Sequence, residues 1–293
     1  VPSYATYTPY VSATEVFNTN LGVDVSQLVV GGNTSANQAA LTDLLLRASN
    51  QADLMCLKVL AATLDVQAGE YRVFRDGTIR VPVDYTPLVS VNSVQVGFQA
   101  NNLTALTDLS GVWVQKKVAR IPVWGVGLQQ PNLTPPAPAY PGAGKVFATV
   151  QYVSGWAHTT LASTATQGAA QLAPVSVLGI VPGLPLTLRD GVNTEVVTVA
   201  GNYVPGAATV PLTGSLQFTH SAGATLSALP PTIKTAVLNL AKWLVKARGS
   251  KAVVMPSVPG NGRGPSKTQT ADKAGQEDYE AARLALLPFK RAR

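Results

Sequence analysis

The groups that most enzymes rely on are scarce in this chain of 293 residues. It has one cysteine, Cys56, and two histidines, His158 and His220. A single thiol excludes an internal disulfide framework, and two histidines leave little from which to build a metal site. Charged residues make up 13% of the sequence, about half the ~25% of an average soluble domain. With 46% hydrophobic residues, that shortage predicts a surface partly covered by protein instead of water. The four tryptophans, Trp113, Trp124, Trp156 and Trp243, fall on predicted strands, a loop and a helix, and form no aromatic ladder of the kind that binds sugars. Long uninterrupted apolar runs are also missing. The most apolar stretch, AAQLAPVSVLGIVPGLPLTL, is broken by Pro174, Pro182 and Pro185 and is a poor membrane-spanning candidate. No basic-then-apolar leader opens the sequence, so the expectation is a soluble chain that no classical signal exports. Without such a leader, the N-x-S/T matches at Asn33, Asn102 and Asn132 are read as accidental.

The charge that is present is unevenly placed. Thr232 to Arg293 holds 12 Lys and Arg against 4 Asp and Glu, a net +8, while residues 1–231 hold 10 against 11, a net −1. The basic excess therefore sits in the last fifth of the chain. Asn33-Thr34-Ser35 offers N-cap chemistry for a helix of about 25 residues running to about Ala61. On a helical wheel Leu41, Leu44, Leu45, Ala48, Ala52, Met55 and Val59 form a core stripe, and Leu46, Leu54 and Leu57 fall on the other side. Such a helix is apolar on two faces, and the low charge favours a neighbouring subunit as the cover for the second face.

After Glu70 the apolar period changes from helical to two. EYRVFRDGTIRVPVDY reads as a hairpin turning at Asp76-Gly77, and LVSVNSVQVGF, VWVQKKVARIPVW and KVFATVQYV supply further strands. LQQPNLTPPAPAYPGAG, with five prolines, cannot be a helix. A second all-β unit of short strands occupies residues 159–229, between necks at Trp156-Ala157-His158 and Leu229-Pro230-Pro231. Read as an insertion, it leaves KVFATVQYV and the basic run TIKTAVLNLAKWLVKAR as consecutive elements of one core. In that run Lys234, Lys242 and Lys246 lie opposite Ile233, Val237, Leu240, Leu244 and Ala247. A Gly/Pro linker and a last amphipathic helix carrying Tyr279, Ala282, Leu286 and Phe289 complete the chain.

Catalytic signatures are few. His158 and His220 are read as locally hydrogen-bonded loop histidines, with no HExxH, CxxC or GxSxG pattern near either. Cys56 is read as a buried structural thiol. GNGRGPSKT is not a phosphate loop, because Ser266 stands before Lys267 where such a loop needs glycine, and because it joins two helices. No enzyme activity, cofactor or metal is expected, and the use of Ser221 and His220 as a hydrolase pair is the weaker enzymatic reading.

The early helix NQAALTDLLLRASNQADLMCLKVLAATLDV with the strands that follow, then LPPTIKTAVLNLAKWLVKARGSKAVVMPSV and DKAGQEDYEAARLALLPFKR, together resemble the head-to-tail connector (adaptor) proteins of tailed bacteriophages. The resemblance lies in the order and texture of about two fifths of the chain. It implies an α+β fold: a helical adaptor core with strands over residues 1–158, an inserted β-module over 159–229, a core helix over 230–249 and a docking arm over 250–293. It further implies a virion protein of the neck, assembled in the host cytoplasm, forming a ring that is twelve-fold in the family. The ring's partners would be the portal protein, the next neck or tail ring, and genomic DNA held non-specifically in the lumen, with no membrane. Tyr279, Ala282, Leu286, Phe289, Lys290 and Arg291 would dock on the portal, Lys234, Lys242 and Lys246 would supply charge to DNA or a partner, and Leu46, Leu54 and Leu57 would meet neighbouring subunits. A tail completion or terminator ring protein and a β-rich carbohydrate-binding module are the alternative readings. The arm so read is separable: a chain cut after Arg248 is expected to fold and to fail to join portal-bearing capsids, as measured by particle assembly.

Overall fold

In the computed structural model the described residues are 8–19, 24–25, 28–29, 31–115, 117–123, 144–191, 193–249 and 275–291. The proline-rich stretch around residues 128–143, Asn132, Trp124 and the Gly/Pro linker with its GNGRGPSKT loop lie outside them. The chain is an α+β protein with three apolar cores. One is helical and two are built from antiparallel strands.

The helical core begins with α1, Ala13–Phe17, whose N-cap Ser12 accepts from the Glu15 amide. The long helix α2, Thr34–Cys56, starts where the sequence predicts, with the Asn33 side chain accepting from the Ala36 amide at 2.8 Å. It stops five residues short of the expected end. Leu57 adopts the left-handed conformation (φ 56°) and closes the helix, a role more often given to glycine. Asp53 then captures the chain beyond it, accepting from the Leu60 amide at 3.0 Å. Leu41, Leu44, Leu45, Ala48, Ala52 and Cys56 are buried against Ile233, Ala236, Val237, Leu240 and Ala241 of α3, Pro231–Gly249. Ala282 and Leu286 of α4, Gln276–Leu286, complete this core.

The second core lies between two sheets. Strands β1 (Thr63–Arg72), β3 (Leu88–Gln99), β4 (Asn102–Ala105) and β7 (Lys145–Ser154) form a sheet in the order β1-β7-β3-β4. A three-stranded sheet of β2 (Thr78–Pro82), β6 (Val118–Pro122) and β5 (Trp113–Gln115), ordered β2-β6-β5, shares its core. Alternate residues point inward, Val146, Ala148, Val150 and Tyr152 from one sheet and Ile79, Val81, Ala119 and Ile121 from the other. The β1–β2 hairpin turns at Arg75-Asp76 and relies on Gly77 at φ 70°.

The third core belongs to β8 (His158–Thr160), β9 (Gln171–Leu172), β10 (Pro185–Asp190), β11 (Asn193–Thr198), β12 (Val210–Pro211) and β13 (Thr225–Ser227). Its main sheet runs β11-β10-β13-β8, and its apolar cluster is drawn wholly from residues 157–228. The expectation that β7 and the following helix share one core is not met. Strand β7 lies in the sheet core and α3 in the helical one.

The cores join where two segments cross. The Trp156 amide donates to the Leu60 carbonyl at 3.0 Å, the Ala62 amide to the Trp156 carbonyl at 2.8 Å, and the Gly155 amide to the Pro87 carbonyl at 2.9 Å. Gly155 has φ 94°, and a Cβ there would run into the Ala61 carbonyl oxygen. Both the conformation and the close approach demand glycine. Gly155→Ala is expected to destabilise the fold by about 2–4 kcal/mol, measured as a lowered urea midpoint, because backbone strain and a backbone clash add at one position.

Candidate functional site

The C-terminal residues expected to leave the fold are packed onto it. Tyr279 meets Trp243 with ring centroids 5.1 Å apart, and Phe289 sits edge-on to Trp156 at 5.6 Å. Ala282 and Leu286 are buried in the helical core. The Arg291 amide donates to the Cys56 carbonyl at 2.9 Å, and its guanidinium pairs with Asp84 at 3.2 Å and lies over the Tyr85 ring. Lys290 is exposed. The apolar face Tyr279, Ala282, Leu286 and Phe289 is therefore covered by the chain's own α2, α3 and Trp156. A cut after Arg248 would remove part of the helical core along with these residues, so it does not separate docking from folding.

The three lysines of α3 have different surroundings. Lys234 is largely buried and pairs at 3.4 Å with Glu15, which also holds Arg189 at 2.6 Å. Desolvation lowers the Lys234 pKa from its ordinary value, and the Glu15 charge works against that shift. Lys246 is exposed and pairs with Asp278 of α4. Lys242 is half-exposed. Lys234 and Lys246 thus answer carboxylates of their own chain, and only Lys242 and Lys246 reach the surface.

Leu46 is half-buried, while Leu54 and Leu57 are 68% and 45% exposed. Leu284 and Leu287 stand 58% and 52% exposed at the end of α4 and the 3-10 turn Leu287–Phe289. The ends of α2 and α4 meet, since Arg291 bonds the Cys56 carbonyl and the Cys56 thiol lies 3.8 Å from the Leu286 carbonyl oxygen, to which it donates, but Leu54 and Leu284 each stand two helical residues from these buried partners and so face away from that contact. Cys56 itself is fully buried, and desolvation pushes its pKa up to about 11, which leaves the thiol protonated and unreactive.

The remaining chemistry-bearing side chains are tied down locally. Ser221 donates its hydroxyl to Asp190 at 2.8 Å, and His220 meets Glu195 at 2.8 Å. Each member of that pair is therefore engaged by its own carboxylate. Among the described residues no group of three His, Cys, Asp or Glu could hold a metal ion, and no helix is long and apolar enough to cross a membrane.

Two buried clusters carry the seam between the cores. Tyr10, fully buried, donates its hydroxyl to Asp53 at 2.7 Å and accepts from the Ala61 amide at 3.0 Å, while its own amide donates to Ser49 at 3.0 Å. His158 joins the β-module to this region, with Nε2 2.9 Å from the Pro9 carbonyl oxygen and Nδ1 3.0 Å from Ser227 Oγ. A carbonyl can only accept, so Nε2 carries the proton and Nδ1 accepts from Ser227. Sequence reasoning found neither Tyr10 nor Asp53. The available signals were a carboxylate beside an apolar helical stripe and, for Glu15, the Ser12-x-x-Glu15 pattern of a capping box.

Burial in this seam pushes the His158 pKa down from 6.5 to about 4. Between those values the unfolded chain binds a proton that the folded chain refuses, so stability falls as pH drops from about 6.5 to about 4. His158→Gln should flatten that part of the acid limb in urea midpoints measured from pH 7 to pH 4, relative to the unaltered chain.

No protein-family model matches the chain, and no curated protein matches it. Among solved structures, the chain is similar to a chain from the neck of an empty GTA particle computed with C6 symmetry, with a TM-score of 0.36 and 12% identity over 100% of this chain and 96% of that one.

Proposed function

We propose that this chain is a structural subunit of the neck of a tailed-phage-type virion, a head-to-tail connector that works by assembling and not by turnover. The observation that carries this reading is the set of leucines that the helical layer leaves in water. Leu54 and Leu57 at the end of α2 and Leu284 and Leu287 at the end of α4 are exposed. With about 25 cal/mol gained per Å² of apolar surface buried, such side chains favour association. In a cyclic ring each subunit would offer one set to the other on its neighbour in a head-to-tail contact that closes on itself. The low overall charge supports the same reading, as does the resemblance in element order to the adaptor family.

On this reading the ring has twelve subunits, sits below the portal protein, meets the next neck or tail ring on its other face and continues the channel for DNA. It needs no cofactor. Lys290, exposed, and Lys242, half-exposed, are basic side chains of the helical layer placed to meet a partner. The subunits would gather on the capsid in the host cytoplasm and remain in the virion.

Leu54→Lys combined with Leu284→Lys tests these leucines, because both side chains are already in water and the single subunit should fold as before. The unaltered chain is expected to form a discrete ring by mass photometry, alone or on addition of portal protein, and the double variant to stay a monomer with an unchanged circular dichroism spectrum. An unaltered chain that remains a monomer under both conditions overturns the proposal.

A further inference from the structure

The basic arm is not the only place where positive charge gathers. Residues 72–120 hold Arg72, Arg75, Arg80, Lys116, Lys117 and Arg120 against Asp76, Asp84 and Asp108, while the rest of residues 1–231 hold four basic side chains against eight acidic ones. The fold brings three of these arginines together at the β1–β2 hairpin. A cleft of about 440 Å³ at the β1–β2 hairpin is lined by Arg72, Val73, Phe74, Arg75, Asp76 and Arg80. Its three arginines are all exposed.

The strand register adds a fourth. Arg80 of β2 stands directly opposite Arg120 of β6, and Arg120 stands opposite Trp113 of β5. All three are on the outer face, since their neighbours Ile79, Val81, Ala119 and Ile121 are buried. Like charges set opposite one another on adjacent strands disfavour a sheet, and here an ion pair between Arg120 and Asp76 at 2.7 Å offsets one of the two. Each guanidinium also lies against an aromatic ring. Arg80 is 4.2 Å from the Phe74 centroid and Arg120 is 5.4 Å from that of Trp113, a ring left 55% exposed.

The one carboxylate in the cleft does not neutralise it. Asp76 accepts from the Thr78 hydroxyl at 2.7 Å, the Thr78 amide at 3.1 Å and Arg120 at 2.7 Å. The Thr78 hydrogen bonds, followed by Arg120, hold its carboxyl below the usual range, so it stays a filled acceptor. Asp76 is thus taken up by Thr78 and Arg120, while Arg75 and Arg80 line the same cleft.

We propose that this face of the β2-β6-β5 sheet, with the hairpin cleft at its edge, binds the phosphodiester backbone of a nucleic acid strand without regard to sequence. Arginine presents a planar fork that matches a phosphate bidentately, which a lysine cannot do. Flat aromatic faces beside the guanidinium groups give unstacked bases a platform, and every base has a face to offer. An acidic protein segment would use the charge but would have no need of the rings. The site goes beyond the ring reading and does not depend on it, because a monomer would carry it too.

The test uses the full chain and a fluorescein-labelled 20-nucleotide single strand of mixed sequence, read by anisotropy across a salt series. Arg75→Ser with Arg80→Thr is expected to weaken binding at least tenfold and to lower the slope of log affinity against log salt by about 1.4, at about 0.7 per lost phosphate contact. Arg80→Thr alone should leave the melting temperature unchanged or raise it, because it removes the like charge opposite Arg120. If it lowers the melting temperature, Arg75→Ser alone decides, since that side chain sits at the turn and pairs with no strand. Binding that survives the double variant unchanged would assign the nucleic acid to charge elsewhere and overturn the proposal. Equal competition by polyglutamate of matched charge would overturn it in favour of an acidic protein partner.

Discussion

The crossing of residues 60–62 with residues 155–157 is the constraint on which the rest of the molecule depends. Three cores of different construction meet there, and backbone hydrogen bonds hold the meeting. Trp156 exchanges bonds with Leu60 and Ala62, and its ring takes Phe289 on one edge, with the Lys58 ammonium 5.6 Å from its centroid. Strand β1 leaves this point for the sheet core, and helix α2 arrives at it from the helical one. One residue later Ala157 enters the β-module. Buried amides at such a junction need acceptors, and the Tyr10 hydroxyl and the Asp53 carboxylate supply them. The N-terminal segment is thus a structural tie, and the left-handed cap at Leu57 is what turns the chain into the crossing.

The same logic explains where the scarce charge goes. Glu15 sits between Arg189 of the β-module and Lys234 of α3, so one buried carboxylate bridges three elements that the backbone alone would not hold in register. Removing one member of such a buried set strands the others, and that penalty exceeds the net contribution of the pairing itself. Arg291 with Asp84 and Lys246 with Asp278 act similarly at the surface, where each contributes less. Lys234, Lys246, Arg283 and Arg291, which look like part of a nucleic-acid tail in the sequence, are therefore fixed on carboxylates of the described fold. Elsewhere the arginine face of the β2-β6-β5 sheet gathers several guanidinium groups around the single carboxylate of Asp76.

The α+β class was legible because its signals are local. Asn33 marks a helix start by its own side chain, the change from helical to alternating period after Glu70 needs no partner, and Gly77 announces its turn. The stripe of α2 predicted Leu41, Leu44, Leu45, Ala48 and Ala52 as core, and they are buried. What could not be read was the use made of each face. The second helix of the arm reads as partner-seeking because it is amphipathic and follows a Gly/Pro stretch, and that pattern is the same whether the partner is another protein or the chain's own α3. Strand β7 and α3 adjoin across the β-module, yet they belong to different cores, since sequence spacing carries no information about which layer a returning chain enters. The opposition of Arg80 and Arg120 depends on register, which only the folded sheet fixes.

These assignments divide the surface by chemistry. The helical layer offers exposed leucines, and hydrophobic association there depends little on salt. The hairpin sheet offers guanidinium groups stacked on rings, and electrostatic attraction there weakens steeply with salt. Because Leu54 and Leu284 lie on the surface of the helical layer and Arg75 and Arg80 on that of a separate sheet, substitutions in one set should add to those in the other without coupling. A chain that both closes into a ring and holds a polyanion benefits from this separation. Assembly through the helical layer would leave the arginine face uncovered, and a polyanion on that face would add counter-charge for Arg75 and Arg80 to the one carboxylate, Asp76, that Arg120 already holds.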